Sequence, residues 1–172
     1  LIDFAYMRES SQFKGDFHLH GYHSRDSIVD PAEYLQIAEE QGYVTLAMTD
    51  HDNSDTYNKL VQYQRTNPES GIIIVPGGEG TTRQGHIVVL SDNRSDLVGF
   101  MNNYSVDELD YPDSTEVMDM VMDQANAVAI VVHSRQHGNH HCLSFSEIAD
   151  LVKRYGNERI ALEVVNGKRE AD

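Results

Sequence analysis

The sequence predicts an α/β domain built on a mainly parallel sheet or barrel, and three observations predict it. Short apolar runs alternate with amphipathic stretches, the pattern of repeated strand–helix units. Several amphipathic stretches open on helix-capping signals. Histidines and carboxylates collect at predicted strand ends, most of them carboxyl ends, where barrels and open α/β sheets place their sites.

In chain order, residues 13–20 read as the first strand, ending in His18-Leu19-His20. Asp30-Pro31-Ala32-Glu33 opens a helix, with Asp30 as N-cap, Pro31 in the first turn and Glu33 at the third position. It runs to about Gln41, where Gly42 stops it. Residues 44–49 form a second strand, 54–65 a second helix, 72–76 a third strand and 86–90 a short fourth. Asp113-Ser114-Thr115-Glu116 caps another helix, with Val117, Met118, Val121, Met122 and Ala125 as its buried stripe. These methionines read as core filler. Residues 128–132 form a strand ending at His133, Ser144-Phe145-Ser146-Glu147 is a capping box for a helix to Tyr155, and residues 160–165 form a sixth strand.

No linker or repeat divides the 172 residues, so a single domain spanning 1–172 is expected. The net charge of −15 excludes nucleic acid as a bulk partner, because backbone binding needs Lys and Arg against phosphates. No apolar run reaches the roughly 18 residues of a membrane span, and the first residues lack the order of a secretory signal. The expected compartment is the cytoplasm. The chain begins without Met, as a processed or excised piece would, and its single Cys142 has no internal partner for a disulfide.

Nine histidines are the unusual feature. His18 and His20 sit two apart on a strand, so both imidazoles share a face and reach one ion. Asp16 lies on that face, placed to accept a hydrogen bond from a ligand imidazole. Asp50-His51 follows the apolar run of the second strand, and a buried acid or imidazole there is costly unless it is paired or holds a cation. Glu79 follows the third strand in a glycine-rich turn, Pro76-Gly77-Gly78-Glu79-Gly80, and its two oxygens suit it to bridge two ions. His86 begins one strand and His133 ends another. Imidazole with carboxylate suits Zn, Mn or Fe rather than Ca.

These residues resemble the PHP superfamily, named for polymerase and histidinol phosphatase, across about Phe13 to Asn166. His18-Leu19-His20 with Ser24 and Asp26 resembles its first motif, H-x-H-x-x-x-S-x-D. Thr49-Asp50-His51 resembles the second, Gly78-Glu79 with His86 the third, and His133 after an apolar strand the next. Pro-Gly-x-Glu-x-Thr-Thr followed by Gly85-His86 is similar to the carbaryl-hydrolase-like branch. The resemblance implies a distorted (β/α)7 barrel holding two or three divalent transition-metal ions. It implies that His18, His20 and Glu79 hold one ion, that Glu79 bridges to a second held by His86 and His133, and that Asp26 and His51 hold a third. Hydrolysis of a small phosphate ester by metal-bound hydroxide follows, with Glu79, His133 and Asp50 as catalytic candidates.

Three departures stand out. The family's last motif, D-x-H on a seventh strand, is absent, so the barrel is expected to be truncated before that strand. Ser134 replaces a usual Pro, and Gly21-Tyr22 replaces a commoner Thr. Arg135 and His137 are the candidate substrate contacts, with Arg25 and Arg83 weaker. His23, His140 and His141 read as loop residues. Carbamate, ester or amide hydrolysis by the same ions, and a non-catalytic metal-binding module, stand as the alternative readings. Oligomeric state is not readable from the sequence.

Overall fold

Strand order in space follows strand order in the chain. The structure, a computed structural model, describes residues 14–53, 55–93, 95, 97, 111–133 and 142–163. Six strands lie in one mixed sheet: β1 (Lys14–Leu19), β2 (Tyr43–Met48), β3 (Ile73–Thr81), β4 (His86–Ser91), β5 (Ala127–Val131) and β6 (Ile160–Leu162). The helices α1 (Pro31–Gln41), α2 (Asp55–Thr66), α3 (Ser114–Asp123) and α4 (Phe145–Tyr155) lie on the connections. None of these is long and apolar enough to cross a membrane.

The caps read from sequence form as expected. The Asp30 side chain accepts from Ala32 N at 2.9 Å, and Gly42, at φ 72°, ends α1 in the left-handed region that glycine enters without penalty. Asp113 caps α3, and Ser144 and Glu147 form the reciprocal box at α4. The α3 stripe is shorter than predicted: Val117, Met118 and Val121 are buried, Met122 packs at the edge of the core, but the helix stops at Asp123 and Ala125 is exposed.

The sheet is less parallel than the sequence suggested. β1–β2–β3 and β5–β6 are parallel, whereas β4 runs antiparallel to both β3 and β5. The cause is chain length: four residues separate β3 from β4, and a parallel return needs a crossover of a dozen or more. Thr82 closes this hairpin, its hydroxyl donating to Gly85 O at 2.6 Å. β3 also extends to Thr81, so the glycine-rich stretch expected to be a turn is strand. Gly77 answers crowding: a β carbon there would lie 2.9 Å from both Leu90 Cδ2 and Thr49 Cγ2.

Two apolar clusters cover the sheet. Leu35, Ala38 and Leu60 of α1 and α2 pack with Leu46, Met48 and Ile72. Val117, Met118, Val121, Ile148 and Leu151 of α3 and α4 pack with Ile87, Val89, Ala129 and Val131. Val88, on the opposite face of β4, is also fully buried, so this central strand is covered on both sides. The sheet is curled. Six strands side by side would place β1 and β6 about 24 Å apart. Yet His18 on β1 hydrogen-bonds Glu163, the residue after β6, at 2.9 Å. The α/β class is therefore as predicted, as a curled six-stranded partial barrel.

Candidate metal centre

The curl gathers strand ends that are remote in sequence. His18 lies on β1 and His20 just beyond it, His51 follows β2, Glu79 lies within β3, and His133 follows β5. His86 begins β4, but β4 is antiparallel, so its first residue sits beside the end of β3, with Thr81 and His86 in register. Glu79 is drawn inward by pairing with the chain after β2: Glu79 N donates to Asp50 O at 3.1 Å and Asp52 N to Glu79 O at 2.9 Å.

Five imidazoles close a ring. Successive centroids are 5.1 Å apart for His18–His20, 4.7 Å for His20–His51, 5.0 Å for His51–His86, 5.7 Å for His86–His133 and 4.9 Å for His133–His18. Glu79, fully buried, reaches four of them. Its Oε2 lies 3.2 Å from His18 Nε2, 2.8 Å from His20 Nε2 and 3.4 Å from His51 Nδ1, and its Oε1 lies 2.8 Å from His86 Nδ1. The two oxygens thus face different histidines, the arrangement a bridging carboxylate needs.

Among the described residues, potential ligand atoms fall into four overlapping groups: His18, His20 and Glu79; His20, Asp26 and His51; His51, Glu79 and His86; His18, His133 and Glu163. The first matches the expected trio. In the others, His51 joins Glu79 and His86, while His133 lies with His18 and Glu163 instead of with His86. The donor set fits transition metals, being imidazole and carboxylate throughout. It also fits by what it leaves unmade: among the described residues, the buried His51 Nδ1 and His133 Nδ1 make no hydrogen bond. Buried polar atoms are normally paired or ligated, so such nitrogens facing a carboxylate are the signature of a cation site.

The charges divide in the same way. Burial opposes ionisation of Glu79, but hydrogen bonds with His18, His20 and His86 outweigh it and hold the carboxyl well below its usual range. Burial likewise opposes the charge on His18, yet Glu163 and Glu79 push its pKa up to about 9. His20 is raised similarly by Glu79 and Asp26 against its burial. His51 and His133, mainly through burial, are each pushed down to about 4.

A pH signature follows for the chelated protein. His18 favours folding fully below the unfolded value of 6.5, and that contribution is lost as pH rises toward 9. His51 and His133 stay neutral when folded, so their contribution is present above 6.5 and lost as pH falls toward 4. Melting temperature under excess chelator is expected to peak near pH 6.5. A curve rising or falling monotonically from pH 5 to 9, a range of about four units around that value, would contradict it.

Other predicted residues are placed differently. Asp50, 1% exposed, lies outside the four groups. Its carboxylate accepts from Gly21 N at 2.6 Å and from the Thr56 hydroxyl, tying the first loop to α2. Thr56→Val keeps the volume but strips a donor from this buried acid. It is expected to destabilise by about 1–3 kcal/mol with metal content unchanged, measured by denaturant titration and elemental analysis. Asp16 does not serve a ligand imidazole; its Oδ1 accepts from the backbone N of His18 at 3.1 Å, a reach typical of short acidic side chains. The carboxylate on the His18 imidazole is Glu163, which the sequence reading missed.

Asp26 joins the centre, 2.9 Å from His20 Nδ1 and 3.4 Å from His51 Nε2. Asp52, at φ 53°, accepts from Thr81 N at 3.2 Å and lies 3.8 Å from Arg25. His23 stacks on Tyr22 at 4.5 Å outside the four groups, and Arg83 lies 3.6 Å from Glu116. Arg135, His137, His140 and His141 lie outside the described residues.

Comparison with known proteins agrees with this geometry. The family model for the PHP domain matches residues 16–166. A structure from Bifidobacterium adolescentis, its protein described as a putative metal-dependent phosphoesterase, superposes with a TM-score of 0.68 at 14% identity, covering 90% of this chain and 78% of the other. A two-domain protein from Bacteroides vulgatus, described as containing a predicted PHP-like metal-dependent phosphoesterase, gives 0.60 at 18% identity, covering 83% and 41%. An uncharacterized protein of Methanocaldococcus jannaschii is 26% identical over 106 residues, covering 56% of this chain. The chain spans 60% of that relative's length.

Proposed function

The chain belongs to the PHP domain family, and on that premise we propose that it is a metal-dependent phosphoesterase using two or three divalent ions of the Zn, Mn or Fe class. One observation carries the reading: a fully buried Glu79 facing four imidazoles from three separate strand ends. A buried carboxylate among mutually repelling imidazoles is poor design for stability and good design for holding cations.

Such ions lower the pKa of water and neutralise charge developing on a phosphoryl oxygen. The chain supplies the cage. His18, His20 and Glu79 would hold one ion, Glu79 with His51 and His86 would hold another, and Asp26 with His51 and His20 would serve a third. His133, neutral across the physiological range, keeps its ring available as a ligand beside His18. Asp50 acts through structure, fixing the loop after His20 against α2. Arg135 and His137 are proposed as contacts for the substrate's anionic group, with Arg25 at the rim.

Carbamate or ester hydrolysis rested on Thr81, Thr82 and Gly85-His86. Both threonines are buried, Thr81 N donating to Asp52 and the Thr82 hydroxyl to Gly85 O, so they serve the hairpin and give that chemistry no support. The test is the protein purified without chelator, analysed for metals, then assayed on nitrophenyl phosphomonoester, phosphodiester and carbamate substrates. Stoichiometric transition metal with phosphoester turnover that chelation abolishes supports the proposal. Bound metal with carbamate turnover alone would redirect it to the alternative chemistry, and bound metal with no turnover to a binding module. Absence of transition metal would end it.

A further inference from the structure

The geometry points to Glu163 as a positioning residue that sets two ligand imidazoles at once, an assignment resting on the reading of the histidine ring as a metal centre. Its Oε1 faces His18 Nδ1 at 2.9 Å, and its Oε2 accepts the backbone N–H of His133 at 2.7 Å. Its own N–H donates to Val131 O at 2.9 Å, fixing it to β5. The carboxylate is nearly buried, with its side chain 11% exposed, so it is held and not a wandering surface group.

Each bond constrains a different ligand. An ionised carboxylate only accepts, so His18 must carry its hydrogen on Nδ1. With a metal bound, that would leave Nε2, 3.2 Å from Glu79 Oε2, as the ligand nitrogen for the ion that His20 and Glu79 would also hold. His133 has a left-handed backbone, φ 57°, which a residue with a β carbon adopts only at a cost. The Glu163 oxygen anchors the N–H of that residue, and the turn brings the His133 ring 4.9 Å from that of His18. One side chain beside β6 thereby locks β1 to β5 across the open side of the curled sheet.

Glu163 also lies within ligand distance of His18 and His133. Ligation there would need an ion on His18 Nδ1 while Nε2 faces Glu79, making the imidazole bridge two metals. Both Glu163 oxygens already have hydrogen-bond partners, so positioning is the simpler reading.

The experiment compares wild type, Glu163→Ala and the isosteric Glu163→Gln, each stripped of metal and titrated with zinc against a chromophoric chelator. Glu163→Ala should bind the same number of ions 10–100-fold more weakly, with Glu163→Gln between the two. In the zinc-loaded protein, proton–nitrogen NMR should show a downfield, exchange-protected His18 Nδ1–H in wild type that is lost in Glu163→Ala. If the alanine variant does not fold by circular dichroism, the glutamine variant carries the comparison. Wild-type affinity in the variants overturns the proposal, as does zinc on His18 Nδ1. So does loss of one ion with the others unchanged, which would make Glu163 a ligand. A wild-type protein that takes up no zinc instead overturns the metal-centre reading, and the positioning role with it.

Discussion

Glu79→Gln is expected to strip at least two ions and lower phosphoester turnover on the order of 10³-fold or more, with the fold retained. The amide has the shape of the carboxylate, so the buried space it fills is unchanged. What changes is charge. Glu79 is the acid that approaches His18, His20, His51 and His86 together, at 2.8 to 3.4 Å. An amide presents one acceptor in place of two, and its NH₂ must face either His86 or the trio of His18, His20 and His51 as a donor. It therefore cannot bridge, and cations brought among several imidazoles lose their central anion. In the chelated protein the same change removes a negative charge that helps hold His18 up to about 9. His18 should then titrate closer to its ordinary value, and the stability peak near pH 6.5 should lose its alkaline shoulder. Elemental analysis and kcat/KM on a phosphodiester check the first claim. Full metal content with turnover within tenfold of wild type would remove Glu79 from the centre.

The parts of this centre differ in how far local sequence reports them. His18 and His20 were legible because a strand puts alternate residues on one face. His51 and His133 were legible because each directly follows an apolar run. The helix starts at Asp30, Asp113 and Ser144 were legible because capping is chemistry within three or four residues. Glu79 was legible as a candidate ligand but in the wrong local structure: Gly77 looks like a turn residue until the crowding at Leu90 and Thr49 is known. His86 is at a strand's beginning, and only the antiparallel hairpin explains why it faces the others.

Glu163 was not legible, because nothing near residue 163 in sequence says that β6 will curl back onto β1. Asp16, two residues from His18, was the local candidate for that partner and makes a backbone bond instead. The grouping of potential ligand atoms differs from the expected partition for the same reason. Sequence order separates His51 from His86, whereas the ring of imidazoles places them side by side.

His20→Ala should be among the most damaging of the histidine substitutions, because His20 joins the group of His18 and Glu79 to the group of Asp26 and His51. Its Nε2 lies 2.8 Å from Glu79 Oε2, and its Nδ1 lies 2.9 Å from Asp26 Oδ1. The second contact orients the ring, and Ser24 supports it by donating to Asp26 at 2.5 Å. Asp26 is correspondingly held well below the usual carboxylate range, its burial outweighed by Ser24 and His20. Removing His20 deletes a ligand of the ion beside His18 and also releases Asp26, whose remaining imidazole neighbour, His51, is 3.4 Å away. Two ions should weaken, and turnover should fall on the order of 10³-fold. Asp26→Asn supplies the control. It keeps the His20 ring and should weaken metal binding only 10–100-fold if Asp26 orients, but should remove an ion outright if Asp26 is a ligand. The double variant then decides whether the groups act as a unit: a loss well short of the product of the single effects means shared ions. Two independent losses that multiply would mean separate sites, and His20 would belong to the ion beside His18 and Glu79 alone.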